Sequence, residues 1–267
     1  MEKKKKLTLL QTISCKEHFY DEVFEKLPIG VEFQDFTEVN LFTENWSEVA
    51  SFYGKHLGAV QGPVGMHGAF IDLKPYSYDQ YIAQNSMFKY RMSLNMACLL
   101  KVDYLVFHSQ LNPFIHNPLL KELDNNTHSK LLLDLMEEFS NFKGILCIEN
   151  VYEQDPHLLL ELMNKIDHPQ IKVNLDIGHA HLSKDYSLAD WIDVLGDRIG
   201  YCHFQWNDGI KDTHSSPTVD DMVEILRVFE EKELNVPLSL EYFPKDMDVE
   251  IQKFQDAITK GGHRFEL

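Results

Sequence analysis

Cysteine is scarce in this sequence, and its four copies are widely separated at Cys15, Cys98, Cys147 and Cys202. None belongs to a C-x-x-C pair, which excludes the usual thiolate zinc motif and argues against a disulfide framework. We therefore expect these side chains to be small buried hydrophobes in a reducing compartment, and the sequence favours the cytoplasm.

Positive charge is also scarce, because 25 lysine and arginine residues stand against 42 aspartate and glutamate residues, for a formal net charge of −17. This balance disfavours broad attraction to nucleic acid or to an anionic membrane, since both need a cationic protein face. A local basic groove would still be compatible with it, so a nucleic-acid partner is left open. An acidic total also suits a chain that gathers carboxylates around cations.

Long apolar runs are missing as well, and no segment reaches the roughly 18–20 apolar residues that cross a bilayer. The basic stretch Met1–Lys6 precedes a partly apolar stretch, Leu7–Cys15, as in a signal peptide. Gln11, Thr12 and Ser14 interrupt that stretch, and no small-residue cleavage site follows. We therefore predict a basic leader that runs into the first strand.

Short β-rich segments alternate with segments of helical periodicity. The predicted strands are Leu7–Thr12, Gly30–Gln34, Val64–Ala69, Tyr104–Ser109, Ile145–Asn150, Lys172–Ile177, Ile199–Trp206 and Pro237–Phe243. The predicted helices include Leu131–Phe142, Leu158–Ile166, Leu188–Leu195 and Val219–Lys232. This alternation predicts an α/β protein, a single-domain (β/α)8 TIM barrel over residues 1–267. An open doubly wound sheet is the alternative, although no Gly-rich phosphate loop follows the first strand.

Six successive predicted strands end in an ionisable residue that directly follows apolar residues. These residues are His67, His108, Glu149, Asp176, His203 and Glu241. Active sites of such barrels are built at the carboxyl ends of the strands, where residues distant in sequence converge. Because buried ionisable groups are costly unless paired or bound to a cation, the pattern predicts a divalent-metal site. Mixed imidazole and carboxylate ligands suit zinc, manganese or cobalt better than calcium or magnesium.

Three further candidate ligands, His179, Asp212 and His214, follow the sixth and seventh strands. Each has an alternative interpretation without a metal. Asp212 and His214 could be ordinary residues of a polar turn, and His179 could be a solvent-facing histidine. His67 and His108 could likewise be histidines that cap the core.

Other polar and aromatic residues near the strand ends are candidates for substrate contact. Glu32, which ends the second strand, is a candidate polar contact at the mouth. Aromatic residues could form an apolar wall, although aromatics beside barrel strands more often pack in the core; these are Phe70, Trp206, Tyr242 and Phe243. Five histidines are expected at the surface: His116, His128, His157, His168 and His181.

In their order and spacing, these residues resemble the xylose isomerase-like barrel superfamily. That superfamily includes sugar phosphate isomerases and epimerases, and also endonuclease IV (AP endonuclease family 2). The resemblance extends from the second strand to the eighth. In the isomerase and epimerase branch it implies one metal held by Glu149, Asp176, His203 and Glu241, with the two glutamates also moving protons.

The endonuclease IV branch carries a trinuclear zinc cluster, and all nine matching residue types are present here. By resemblance, His67 and His108 would join Glu149 on one metal, and Glu149 would bridge to the metal of the four-residue group above. The third metal would be held by His179, Asp212 and His214.

The sequence departs from both branches. Ser215–Thr218 stands where a Gly-rich stretch commonly follows the Asp-x-His pair, and Phe204–His214 lacks the arginine of epimerases. The early loops lack basic and aromatic insertions for gripping bent DNA, since Lys74 is the only cation near Gly68–Asp72.

The leading hypothesis is a metal-dependent isomerase or epimerase that transfers protons on a sugar or sugar derivative, with one to three divalent ions. The predicted acid and base are Glu149 and Glu241. The predicted substrate contacts are His67, His179, Glu32 and Trp206. The alternatives are an endonuclease IV-like multinuclear zinc phosphodiesterase and a non-catalytic binding barrel. The expected partner is a small sugar and not a membrane, and homo-oligomerisation is left open.

Overall fold

Eight parallel strands form a closed barrel in the computed structural model, which describes residues 4–267. The barrel strands are β2 (Leu9–Ile13), β3 (Gly30–Phe33), β4 (Val64–His67), β5 (Tyr104–His108), β6 (Ile145–Glu149), β7 (Ile171–Asp176), β8 (Ile199–His203) and β9 (Leu238–Leu240). Two short strands, β1 (Lys5–Lys6) and β10 (Phe265–Glu266), form a separate parallel pair. The predicted single-domain barrel is confirmed. Residues 1–3 of the predicted basic leader lie outside the described residues.

Nine α-helices join and cover the strands within residues 4–267. They are α1 (Asp21–Lys26), α2 (Trp46–His56), α3 (Gln80–Leu100), α4 (Pro118–Glu138), α5 (Pro156–Ile166), α6 (Ile177–His181), α7 (Leu188–Leu195), α8 (Val219–Glu231) and α9 (Met247–Gly261). Short 3-10 turns lie at Lys16–His18, Asp35–Thr37, Leu41–Thr43, Leu57–Ala59 and Gly196–Arg198. Capping boxes at Ser187 and Thr218 start α7 and α8 where the sequence predicts them.

The helix predicted over Leu131–Phe142 overlaps only the last part of a longer helix, α4, which ends at Glu138 and so stops before Phe142. α4 begins at Pro118 because the Asn117 side chain accepts hydrogen bonds from the N–H groups of Leu119 and Leu120. These two leucines are exposed and therefore give the first turns no core-facing periodicity.

The inside of the barrel changes from apolar to ionisable along the strands. Leu10, Val106, Cys147 and Tyr201 form a small buried cluster within the barrel. Side chains two residues apart on a strand point to the same face. Three of these residues are therefore followed on the inward face by His108, Glu149 and His203 respectively. The larger apolar core fills the layer between strands and helices, so the barrel mouth is the place where ionisable side chains meet.

Two predictions about buried and exposed residues need correction. Cys147 and Cys202 are buried as expected, but Cys15 and Cys98 are only half-buried; all four are free thiols in the described part of the chain. His128, expected at the surface, is buried, because its Nδ1 lies 2.9 Å from the Asp124 carbonyl and its ring packs edge-on against a tyrosine. None of the helices within residues 4–267 is both long enough and apolar enough to cross a membrane.

Candidate metal centre

The strand register brings the predicted ligands together at the carboxyl end of the barrel. His108 on β5 is paired with Glu149 on β6, and Asp176 on β7 is paired with His203 on β8. Glu241 follows β9 directly, and its backbone N–H donates to Phe204 just beyond β8. Residues from separate strand–helix units therefore meet around one mouth, as the spacing predicts.

The central group consists of Glu149, Asp176, His203 and Glu241, whose ligand atoms lie within 4.8 Å of one another. All four side chains are buried. The Nδ1 atom of His203 lies 2.9 Å from Glu241 Oε2 and 3.4 Å from Glu149 Oε2. Among the described residues, each of the four leaves one buried atom without a hydrogen bond: Glu149 Oε2, Asp176 Oδ2, His203 Nδ1 and Glu241 Oε2. A divalent cation would satisfy all four atoms, so the donor set fits a metal.

A second group extends from the central one through Glu149 to His67 and His108. Their Nε2 atoms lie 3.4 Å and 3.9 Å from Glu149 Oε2. Nδ1 of His67 lies 2.9 Å from the Gly68 carbonyl, which fits a tautomer that donates from Nδ1 and leaves Nε2 free to bind a cation. The ring of His108 stacks on Phe70 at 4.2 Å, so this candidate wall residue supports a histidine.

A third group joins His179, at the start of α6, to Asp212 and His214. Nε2 of His179 lies 3.0 Å from Asp212 Oδ2, and Nε2 of His214 lies 3.3 Å from the same oxygen. The Nδ1 atom of each histidine lies 2.9 Å from a backbone carbonyl, that of Asn150 for His179 and that of Glu241 for His214. Both rings therefore present Nε2 to Asp212.

The loop that carries the third group is tied at its base. Trp206 and Ser215 exchange two backbone hydrogen bonds of 2.9 Å, so the chain between them forms a closed loop. His214 adopts a left-handed backbone with φ of 43° next to this bridge. The Gly-rich stretch of the superfamily is replaced here without preventing the three ligands from meeting.

Protons occupy parts of this centre when no cation is present. Burial raises the pKa of Asp176 to about 7, against the lowering influence of His179. Burial disfavours the charged form of His203, but the nearby Glu241 and Glu32 outweigh it and raise the His203 pKa well above its ordinary value. For Glu241, the positive charge of His203 outweighs burial and lowers the pKa to about 2. The centre is thus charged, buried and partly protonated, a state that suits exchange of protons for a metal.

Glu32 does not line the mouth, and its predicted substrate contact does not fit its position. The side chain is fully buried on the far side of His203, where its Oε1 lies 3.1 Å and its hydrogen-bonded Oε2 lies 3.2 Å from Nε2 of that ring. The Tyr201 hydroxyl also donates to Oε2, at 2.7 Å. Glu32 therefore holds a ligand in place and cannot reach a substrate past the imidazole ring.

Sequence reasoning missed two amides that orient the candidate ligands. Gln34 donates to Glu241 Oε1 at 2.8 Å. Gln205 donates to Asp176 at 3.1 Å and to Asp212 at 3.2 Å, and so links the central and third groups. Both amides lie just beyond strand ends, where a polar residue after an apolar run was the available signal.

The remaining candidate contacts lie around the rim. Trp206 stacks on His181 at 4.1 Å, and its contact with substrate stays a prediction. The Tyr242 hydroxyl donates to Glu250 on α9 at 2.9 Å, which is a packing role and not that of a substrate wall. Phe243 is exposed.

Comparison with known proteins places the chain among xylose isomerase-like barrels. The family profile described as xylose isomerase-like TIM barrel matches residues 33–260. An uncharacterized protein of Methanocaldococcus jannaschii is 25% identical over 161 residues, covering 56% of this chain and 53% of that protein, or about half its length. A protein from Thermus thermophilus, solved after soaking with ZnCl2, has a similar structure: TM-score 0.73, 16% identity, 96% of this chain and 99% of that one. The structure of a D-tagatose 3-epimerase-like protein is similar too, with a TM-score of 0.72 and 17% sequence identity. The match covers 96% of this chain and 98% of that one.

Proposed function

The chain belongs to the xylose isomerase-like TIM barrel family, and we propose that it is a divalent-metal-dependent isomerase or epimerase of a sugar or sugar derivative. One observation carries the proposal: Glu149, Asp176, His203 and Glu241 each direct a buried atom that makes no hydrogen bond into one small space. Such atoms are stable together only when a cation or protons lie between them. The similarity of the fold to a D-tagatose 3-epimerase-like protein supports the substrate class.

The glutamates of the central group are the proton-transfer pair of this proposal. A divalent cation held there would supply Lewis acidity to the hydroxyl and carbonyl oxygens of a ketose, which acidifies the adjacent C–H bond. One of Glu149 and Glu241 removes the proton from carbon, and the other delivers a proton to the opposite face. Gln34 holds Oε1 of Glu241, so that Oε2 remains directed at the centre.

Solvent deuterium exchange tests this function. Protein loaded with manganese or cobalt is incubated with a panel of ketoses in D2O, and deuterium at the carbon next to the carbonyl is measured by NMR. We expect exchange with at least one ketose, and a loss of about 10²- to 10⁴-fold in Glu149→Gln and Glu241→Gln. Glu250→Gln is the matched control, because Glu250 is a buried glutamate of α9 that accepts a hydrogen bond from Tyr242 and belongs to none of the three ligand groups. Absence of exchange across the panel, with metal bound, contradicts the proposal.

The third ligand group favours a second candidate, metal-dependent hydrolysis of a phosphodiester. Epimerisation needs one metal, whereas His179, Asp212 and His214 form a separate ligand group beside the central group. A cluster of several ions can activate a hydroxide and stabilise the charge of a phosphoryl transition state. Close to three zinc ions per chain, together with cleavage of a duplex that contains an abasic site, would select this candidate. One weakly held ion and no cleavage would select the isomerase.

A further inference from the structure

A cavity of about 810 Å³ opens beside the third ligand group, on the rim of the barrel. His179 and Asp212 form one end of it, and the loops after β5 and β6 form its sides. A volume of this size is typical of pockets that enclose a drug-sized ligand, and it exceeds the space that a bare monosaccharide would fill. The cavity therefore has room for a part of the substrate beyond the sugar.

Two exposed aromatic residues form the side wall of this cavity. Phe114 is 81% exposed and Tyr152 is 71% exposed, although both lie next to the centre. The same two residues also line a smaller cavity of about 200 Å³ that ends at His108. Phe114 and Tyr152 thus line two cavities, one of which reaches His108 and the other His179. Large aromatic surfaces left in water at such a place are suited to cover a flat apolar group.

The charges around the larger cavity indicate a neutral ligand. Lys121 is the one lysine or arginine among its described lining residues, and it is paired with Glu161 at 2.8 Å. The two described acidic residues of the lining also have partners: Asp155 accepts a hydrogen bond from the backbone N–H of His157 at the start of α5, and Asp212 lies 3.0 Å from His179. Apolar side chains such as Leu158 and Leu182 fill much of the remaining wall. A phosphate at this end would find its cation already paired.

We propose that the natural substrate is a polyhydroxylated head group joined to a neutral apolar ring, and that this ring packs between Phe114 and Tyr152 in the 810 Å³ cavity. The inference rests on the proposed function for the head group, which lies at the ligand groups. The ring substituent gives the enzyme its selectivity, because stacking on the two aromatic residues adds affinity that a free sugar lacks.

Matched ketose derivatives test the substituent. The probes are 6-O-benzyl-D-fructose, 6-O-methyl-D-fructose and D-fructose 6-phosphate, with the manganese-loaded protein. Dissociation constants are measured by calorimetry, and deuterium exchange is measured separately on the same compounds. We expect the benzyl derivative to bind about tenfold more tightly than the methyl derivative. Phe114→Ala and Tyr152→Ala should remove that preference, while Tyr152→Phe should keep it.

Tyr78→Ala is the matched control, because Tyr78 is fully exposed and lines neither cavity among the described residues. Equal binding of the benzyl and methyl derivatives, or tighter binding of the phosphate, overturns the inference even if all three exchange deuterium. A benzyl preference without exchange supports the ring site and counts against the proposed reaction. If the protein shows no preference for the benzyl derivative and no deuterium exchange, both the inference and the proposed function are overturned.

Discussion

His203 Nε2 lies 3.1 Å from Glu32 Oε1, and no part of either side chain is exposed to solvent. The other ring nitrogen of His203 faces Glu149 and Glu241. With a cation bound to the centre, this carboxylate would keep the remaining ring proton on Nε2 and direct Nδ1 toward the candidate metal groups. Carboxylate–histidine pairs of this kind make the histidine a better ligand and hold its ring in place.

Removing the charge of Glu32 should therefore weaken metal binding. For Glu32→Gln we expect the dissociation constant for zinc or manganese to rise by about 10- to 100-fold, as is usual when the partner of a ligand histidine is lost. The measurement is competition with a chelator of known affinity. Glu250→Gln, the matched change of a buried glutamate, should leave the constant unchanged. Equal affinity in Glu32→Gln and the native protein would show that Glu32 has no role in holding the ligand.

Glu149 should affect more of the centre than any residue of the third group does. Its carboxylate belongs to both the central and the second ligand groups, whereas Asp212 belongs to the third alone. In protein supplied with enough zinc to fill all three groups, Asp212→Asn should hold one ion fewer than the native protein, and Glu149→Gln should lose metal from both groups that it joins. Elemental analysis of protein purified without chelators measures the content. If Asp212→Asn and Glu149→Gln lose the same amount of metal, Glu149 does not bridge two ligand groups.

Proton release should accompany metal binding at the third group. Burial alone would lower the pKa of His214, but Asp212 outweighs it and raises that pKa to about 9. The ring is thus protonated at neutral pH without metal, and a cation must expel that proton to bind Nε2. Burial also disfavours the charged form of His179, but Asp176 and Asp212 outweigh it and raise its pKa well above the ordinary value. An ion that binds Nε2 of both rings therefore expels about two protons, so affinity should rise by up to about a hundredfold per pH unit below roughly pH 9. Calorimetric titration with cobalt in buffers of different ionisation enthalpy measures the protons released. In Asp212→Asn the release should fall, and an unchanged release would contradict the assignment.

The convergence of the candidate ligand residues could be predicted from the sequence, whereas the residues that support them could not. His108, Glu149 and His203 each end a short apolar strand, and that local pattern survives whatever the neighbouring strands are. The role of Glu32 depends instead on a contact with a residue 171 positions away, on the opposite side of the barrel. Nothing near Glu32 distinguishes a mouth contact from a buried support. Gln205 is similar, since its two partners lie on different elements.

Gly178 in helix α6 packs directly against the Gln205 side chain, with no room for a Cβ atom. A Cβ atom at position 178 would lie 2.2 Å from the Gln205 side-chain amide, which is fully buried. Gly178→Ala should therefore push this amide away from Asp176 and Asp212, its two hydrogen-bond partners. We expect a loss of about 1–3 kcal/mol in the free energy of unfolding of metal-free protein, as for other overpacked sites. A metal ion bound by the third ligand group should also be held more weakly, because Gln205 no longer holds Asp212.

Gly54→Ala is the control for this substitution. Gly54 lies in helix α2, is exposed, and has no neighbouring atom within 4 Å of an added Cβ. Alanine there should raise the free energy of unfolding by about 0.5–1 kcal/mol, because glycine is a poor helix former. Urea denaturation measures both variants, and the double variant Gly178→Ala/Gln205→Ala tests the cause. If the clash is with Gln205, the double variant should lose less stability than the two single losses together. Simple additivity would place the effect of Gly178 elsewhere in α6.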